Sequence, residues 1–403
     1  MGASKVMDQI AGGRANPQNL LFFLAGEHSG DLLGAELIRA LNARMPAGRL
    51  GLTGVGGPAM REAGFRTIIP MEEFAVLGLW EVLKRYPQLR RYFNQLVDHV
   101  IRVRPKAVVL IDYPGFNLRF ARKMRAAGIP VIYYVSPQLW AWGGKRIHRM
   151  PELVDLMLTL FPFEVDLYHE VGVEVEHVGH PVVDRLMPAR LSPIPQALRG
   201  SRNIALLPGS RRQEVERIFP VMVDVAKRLL EEAESAEAAV PRFLIGVAGA
   251  RLMPLIWGIL LERGGAELLR VCEVRLGSTH LFMHAAEWGM VASGTATLEA
   301  AVMGMPMLVL YKVSRPTYEF GRRVIRVPHL SMVNILAGEE IAPEFLQQRC
   351  RAEEILPSAR RLMTDPTARA AMRATFRRVS ALLGPGGAAE RAAEAIDRKL
   401  RLS

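Results

Sequence analysis

The chain has 403 residues, enough for two or three domains, and half of them are hydrophobic, so large cores can form. Its 52 basic against 40 acidic residues give a formal charge of +12, which suits an anionic partner: nucleic acid, phosphorylated metabolites or an anionic membrane surface. Only Cys272 and Cys350 occur, which excludes a disulfide framework and a cysteine-rich metal site and fits a reducing compartment.

No apolar run approaches the roughly 18 residues needed to span a bilayer. Asp8 and Arg14 interrupt any secretory pattern at the N-terminus, and residues 1–16 read as a disordered polar leader. From there, 20-LLFFLAGEHSGDLLGAELIRAL-41 reads strand, tight turn, helix, with Leu33, Leu37 and Leu41 on one helical face. A second apolar segment, 51-GLTGVGG-57, ends in glycines. Residues 87–102 are expected to be helical. 107-AVVLIDYPGFN-117 is a strand and turn, 118-LRFARKMRAAG-128 a helix closed by glycine, and 130-PVIYYVSP-137 and 154-VDLMLTLFPFE-164 further strands. Residues 188–202, with Pro188, Pro193 and Pro195, read as a linker. The alternation restarts at 203-NIALLPGS, 243-FLIGVAG, 289-GMVASGT and 307-MLVLY. The Ala/Arg-rich end, 368–400, reads as two helices separated by Gly-Pro-Gly-Gly. Short continuous apolar strands alternating with helices predict parallel sheets covered on both faces, in two similar α/β halves.

Ligands of open parallel sheets meet the carboxyl ends of the strands, and a cleft between two such halves suits a nucleotide or sugar-nucleotide. Five places there carry polar residues. The first, 25-AGEHSGD-31, gathers Glu27, His28, Ser29 and Asp31 beside glycines; it is not G-x-G-x-x-G, and an ordinary strand–helix turn is the competing reading. In the second, 112-DYPGFN-117, Asp112 can serve as a general base or only tie its own turn. The third, 136-SPQLWAWGGKRIHRM-150, places Trp140 and Trp142 beside four basic residues, as a membrane interface, a nucleic-acid platform or two core tryptophans would. The fourth, 207-LPGSRRQEV-215, opens a helix with Ser210, Arg211 and Arg212. Helix-start amides plus guanidinium groups favour a phosphate; alternatively, Ser210 and Gln213 form an S-x-x-Q capping box and the arginines are merely solvated. In the fifth, 292-ASGTATLEA-300, Ser293, Gly294 and Thr295 present free amides and hydroxyls, with Glu299 one turn further in. No P-loop, HExxH, CxxC or GxSxG motif occurs, so metal, kinase and serine-hydrolase readings lose their usual support.

Taken in order, these stretches together with GVGGPAMREAG at 54–64, YVSPQLWAW at 134–142, FPFE at 161–164, VGHP at 178–181 and SMVNILAG at 331–338 resemble the lipid-A-disaccharide synthase family. These are inverting glycosyltransferases of the GT-B type. The resemblance runs over residues 20 to 350. It implies an α/β GT-B fold: two Rossmann-like parallel-sheet domains with an inter-domain cleft. The expected divisions are 17–187 for the acceptor and lipid, 188–364 for the UDP-sugar, and 365–403 as terminal helices packing back on the first domain. The implied reaction moves 2,3-diacylglucosamine from UDP-2,3-diacylglucosamine to the 6-hydroxyl of lipid X, giving the β-1',6-linked disaccharide 1-phosphate and UDP. No metal or other cofactor and no nucleic acid are expected. The implied place is the cytoplasmic face of the inner membrane, as a peripheral protein, and homodimers with exchanged carboxy-terminal portions are expected.

Within that frame Arg211 meets the diphosphate. Ser210 caps the helix and touches the phosphate as well. Ser293, Gly294 and Thr295 complete the cradle, Glu299 holds the ribose, and Asn334 approaches the nucleotide. Asp112 is the expected base, with Glu27 the second choice. Ser29, Asn117, Trp140 and Trp142 are placed on the acceptor and lipid side. Glu287, Trp288 and Gly289 stand where the family usually has an aspartate and small apolar residues, and His28 where it often has a small residue. Two other readings stay open here. One is another GT-B protein, such as a peptidoglycan glycosyltransferase or a UDP-GlcNAc 2-epimerase. The other is a basic membrane-surface or nucleic-acid-binding protein using 140-WAWGGKRIHR-149.

Overall fold

The computed structural model describes residues 19–45, 49–73, 79–142, 144–200, 202–324 and 327–402; the leader expected at 1–16 lies outside them. The chain divides into two units, one running to Pro181 and resuming at Leu383, the other spanning Val182–Leu382. Each unit is built on one parallel sheet.

The first sheet contains β1 (Leu20–Ala25), β2 (Gly51–Gly56), β3 (Arg66–Pro70), β4 (Ala107–Ile111), β5 (Val131–Tyr134), β6 (Leu156–Thr159) and β7 (Val175–His177), in the order β3-β2-β1-β4-β5-β6-β7. β4 is an unbroken run of Val, Leu and Ile with every residue buried, as expected where helices cover both faces. The helix His28–Arg44 buries Leu33, Leu37 and Leu41, the face that its spacing predicts. Strand order reverses between β1 and β4, and their register pairs Ala25 with Ile111, so Gly26 and Asp112 leave neighbouring strands at one level.

The second sheet contains β8 (Asn203–Leu207), β9 (Arg242–Val247), β10 (Cys272–Leu276), β11 (Trp288–Ala292), β12 (Met307–Tyr311) and β13 (Glu344–Leu346), in the order β10-β9-β8-β11-β12-β13. Here the reversal lies between β8 and β11, which places the turns after Leu207 and Ala292 side by side. The helix Arg212–Ser235 buries Val215, Ile218, Phe219 and Met222 against this sheet.

The unit boundaries differ from the expected 187 and 364, for identifiable reasons. The helix Val182–Leu191 packs on helices Thr279–Ala285 and Thr295–Val302, and Ala189 O meets His284 Nδ1 at 2.9 Å, so it belongs to the second unit. The helix Pro366–Leu382 also stays there. It buries Phe376 and Val379, and Arg373 donates to Gly304 O at 3.2 Å and Glu287 O at 2.9 Å. Only the last helix, Ala388–Leu400, belongs to the first unit. Its alanine face packs on His28–Arg44, with Arg44–Asp397 at 3.4 Å and Arg398–Glu176 at 2.6 Å.

Candidate active site

At the carboxyl edge of the first sheet, the chain leaves β4 in a strained turn. Asp112 (φ 46°) and Tyr113 (φ 49°) are consecutive left-handed residues, a conformation costing on the order of 1–3 kcal/mol each. Side chains from two elements hold it. Asp112 O accepts from Asn117 Nδ2 and from the Tyr133 hydroxyl, both at 2.7 Å, while Asp112 N donates to Tyr134 O at 2.9 Å. The Tyr113 ring lies over Gly26, where a Cβ would sit 2.3 Å from it, so only glycine fits at position 26. Burial pushes the Asp112 carboxyl above its ordinary range, and the charge of Glu27 adds to the shift. Glu27 itself is exposed at the start of the helix His28–Arg44 and makes no side-chain cap there, and His28 and Ser29 are exposed in the first turn. Asp31 is spent inside the fold: its buried carboxylate accepts from the amides of Gly57, Ala59 and Met60, which caps the helix Pro58–Glu62.

One acceptor-side expectation changes. Asn117 is fully buried and donates to Ile111 O and Asp112 O, so it shapes the Asp112 turn and does not face a ligand. Trp140 is half-buried. Its indole nitrogen donates to Glu164 at 3.2 Å and its ring meets Phe163 edge-on. The Trp142 side chain lies outside the described residues. Glu164, which sequence reasoning did not single out, is a buried carboxylate receiving hydrogen bonds from Ser136, Trp140 and the Phe161 amide.

In the second unit the helix after β8 begins at Arg212 with Arg211, not Ser210, at the cap position. Glu214 supplies the box from inside the helix: its carboxylate accepts from Arg211 N at 3.2 Å and from Arg211 Nη1 at 2.7 Å. The expected Ser210–Gln213 box therefore does not form, and Ser210 and Arg211 are both exposed at the strand's mouth. After β11, Ser293 N closes the ladder on Leu310 O, and Gly294 opens the helix Thr295–Val302 with nothing near the position its Cβ would take. Glu299 is half-exposed and meets His280 Nε2 at 3.3 Å. Tyr311, another residue missed in the sequence, ends β12 beside this group. Burial raises its hydroxyl pKa, the charge of Glu214 raises it further, and Arg211 opposes both. Exposed guanidinium, hydroxyl and helix-start amides on neighbouring strands form a surface able to receive a diphosphate without further rearrangement of the core.

Asn334 is not part of that surface. It is fully buried, and its amide is saturated: Nδ2 donates to Ala342 O and Glu344, and Oδ1 accepts from the amides of Ile341 and Ala342. With Glu344 holding Ser331 and the Leu330 amide, it builds the start of the helix Met332–Ala337. The local departures are structural as well. Trp288 is buried at the start of β11, and Glu287 pairs with Arg369 at 3.4 Å.

Two parallel sheets, each reversing strand order where its polar turns gather, define the GT-B class of glycosyltransferases and their relatives. Solved structures share this fold at low sequence identity. They include the UDP complex of S. aureus MnaA (TM-score 0.61, 16% identical, covering 96% of this chain and 98% of that one) and Acinetobacter baumannii MurG (TM-score 0.51, 12% identical, covering 94% and 99%). The family model for lipid-A-disaccharide synthetase matches residues 21–393, and the chain belongs to that family. Curated lipid-A-disaccharide synthases are similar throughout. That of Geobacter sulfurreducens is 38% identical, covering 94% of this chain and 96% of that one, and that of Myxococcus xanthus is 37% identical, covering 94% and 97%. The chain is thus a glycosyltransferase of lipid A biosynthesis acting on a UDP-sugar. That decides against the peptidoglycan-glycosyltransferase and epimerase readings and against a non-enzymatic protein.

Proposed function

We propose that UDP-2,3-diacylglucosamine is held by the second unit and that lipid X is the acceptor at the first. Arg211, Ser210 and the helix-start amides at Ser293, Gly294 and Thr295 receive the diphosphate, and Glu299 takes the ribose hydroxyls. The UDP present in the S. aureus MnaA complex, on the same fold, supports a UDP site. Asp112 takes the proton from the acceptor's 6-hydroxyl, with Glu27 the alternative base. The observation that carries this assignment is the strained turn at Asp112, which presents a carboxyl of raised pKa one strand away from Glu27. A base poised nearer neutrality is better matched to an alcohol than an ordinary aspartate is. Purified protein supplied with UDP-2,3-diacylglucosamine should release UDP only when lipid X is present. Release that ignores lipid X, or equal turnover of unacylated UDP-glucosamine, would reject the assignment.

We place the enzyme as a peripheral protein on the cytoplasmic face of the inner membrane. Support comes from the charge of +12, and among the described residues no helix is long and apolar enough to cross a membrane. Attraction of about 1 kcal/mol per basic residue near an anionic surface is screened by salt. Binding to anionic vesicles should therefore fall in high salt and leave a salt-resistant apolar remainder. Equal binding to neutral vesicles at every salt concentration removes the electrostatic part. A homodimer that exchanges carboxy-terminal portions would reuse the Arg44–Asp397 contact between two chains, and light scattering would show twice the mass.

A further inference from the structure

The turn after β5 carries the same kind of strain as the turn after β4. Val135 has φ 70°, a left-handed conformation that a β-branched residue rarely adopts. Its amide donates to Leu158 O at 3.0 Å, and the residue before it, Tyr134, accepts the Asp112 amide at 2.9 Å. The residue after it, Ser136, is buried and donates to Glu164 Oε1. Trp140 Nε1 donates to the same oxygen at 3.2 Å, and the Phe161 amide to Oε2 at 3.2 Å. One carboxylate thus joins the mouth of β5 to the mouth of β6. A continuous path runs from it through Ser136, Val135 and Tyr134 to the backbone of Asp112.

We propose that Glu164 is a positioning residue for the acceptor half of the transfer, clamping the strained Val135–Trp140 segment that in turn fixes Asp112 and the Trp140 ring. This rests on the acceptor lying at the first unit.

The chemistry of the cluster supports an active role over a passive one. Glu164 is 2% exposed, and its partners are neutral donors, not cations. Burial raises its pKa from 4.5 to about 6, although hydrogen bonds from Ser136, the Phe161 amide, Trp140 and the Leu160 backbone oppose that. A folded pKa above the ordinary value means that the group's contribution to stability is full below pH 4.5 and is lost as pH rises through 6. At neutral pH the protein holds an ionised carboxylate at a cost, and such groups at strand mouths are where function is expected. Protonation near pH 6 converts one acceptor oxygen into a donor facing other donors and loosens the clamp. The other titratable group facing Glu164 among the described residues is Tyr168, on its own helix, whose hydroxyl donates to Pro137 O at 3.4 Å and stays protonated throughout. The ring of His180 lies tilted by 40° against Phe161, with centroids 5.4 Å apart, and supplies a control imidazole.

The test compares wild type, Glu164→Gln, Ser136→Ala and His180→Gln in UDP release, with tryptophan fluorescence against pH referenced to Trp140→Phe. In Glu164→Gln, kcat/KM for lipid X should fall about 10-fold to 10²-fold with the donor KM unchanged. Ser136→Ala should show a smaller shift of the same kind. The wild-type Trp140 signal should titrate near pH 6, survive in His180→Gln and vanish in Glu164→Gln. Three results would overturn the clamp: an unchanged kcat/KM for lipid X in Glu164→Gln, a loss shared equally by both substrates and matched by loss of folded protein, or a Trp140 transition that follows His180. Absence of lipid X-dependent UDP release in the wild type would instead remove the acceptor assignment, and the fluorescence arm would still decide the clamp.

Discussion

Replacing Asp112 with asparagine should lower turnover about 10²-fold or more and leave UDP affinity unchanged. The diphosphate groups assigned to UDP all leave strands of the second sheet, so this substitution touches none of them. The fold should survive for a specific reason. Asparagine tolerates the left-handed conformation that Asp112 adopts at φ 46°, and the bonds that hold the turn involve the Asp112 backbone rather than its carboxylate. The folded pKa of Asp112 lies above 3.8, so its contribution to stability is present below that pH and is lost as pH rises. Asparagine removes an unfavourable ionisation, and the variant should melt no lower than wild type at neutral pH. The acid limb of wild-type kcat/KM should lie above that of an ordinary aspartate. Because Glu27 is the second cause of the shift, Glu27→Gln should move that limb downwards. A fully active Asp112→Asn beside an inactive Glu27→Gln would transfer the base role to Glu27.

Central strands were legible because burial on both faces leaves an unbroken apolar run: AVVLI in β4 and MLVLY in β12 have no other ready reading. The edge strands were not. β7 is VEH and β13 is EFL, three residues each, and β10, CEVRL, is part exposed. A strand paired on one side needs no continuous apolar pattern, so such segments look like loop. At the helix start after β8, two boxes one residue apart compete in the sequence, S-x-x-Q and R-x-x-E. The second prevails because Glu214 gains Arg211's guanidinium as well as its amide. Asn117 and Asn334 show a different limit. An amide near a strand mouth looks like a ligand group, but where its hydrogen bonds go is decided by residues five to ten positions away that fold onto it. Glu164 was hidden for the converse reason: nothing in FPFE announces that its carboxylate is buried under Ser136 and Trp140.

Arg211→Ala should reduce turnover by about 10²-fold to 10³-fold, the usual effect of removing one donor aimed at developing charge. Departure of UDP leaves negative charge on the diphosphate, and the cap position holds the Arg211 guanidinium at the mouth of β8. Its cost to the fold should be small. The side chain is 80% exposed, and its ion pair with Glu214 is an i,i+3 surface contact of the kind contributing well under about 1 kcal/mol. The cap does not depend on that side chain either, because Glu214 also accepts the backbone amide of residue 211, which alanine retains. Thermal melting should therefore move little while the chemical step collapses. Arg211→Lys tests the geometry separately. Lysine keeps the charge but loses the planar fork that meets two phosphate oxygens at once, so it should recover only part of the activity. Near-normal turnover in Arg211→Ala with unaltered melting would return Arg211 to the solvated face of its helix and leave Ser210 and the amides at Ser293, Gly294 and Thr295 to meet the charge.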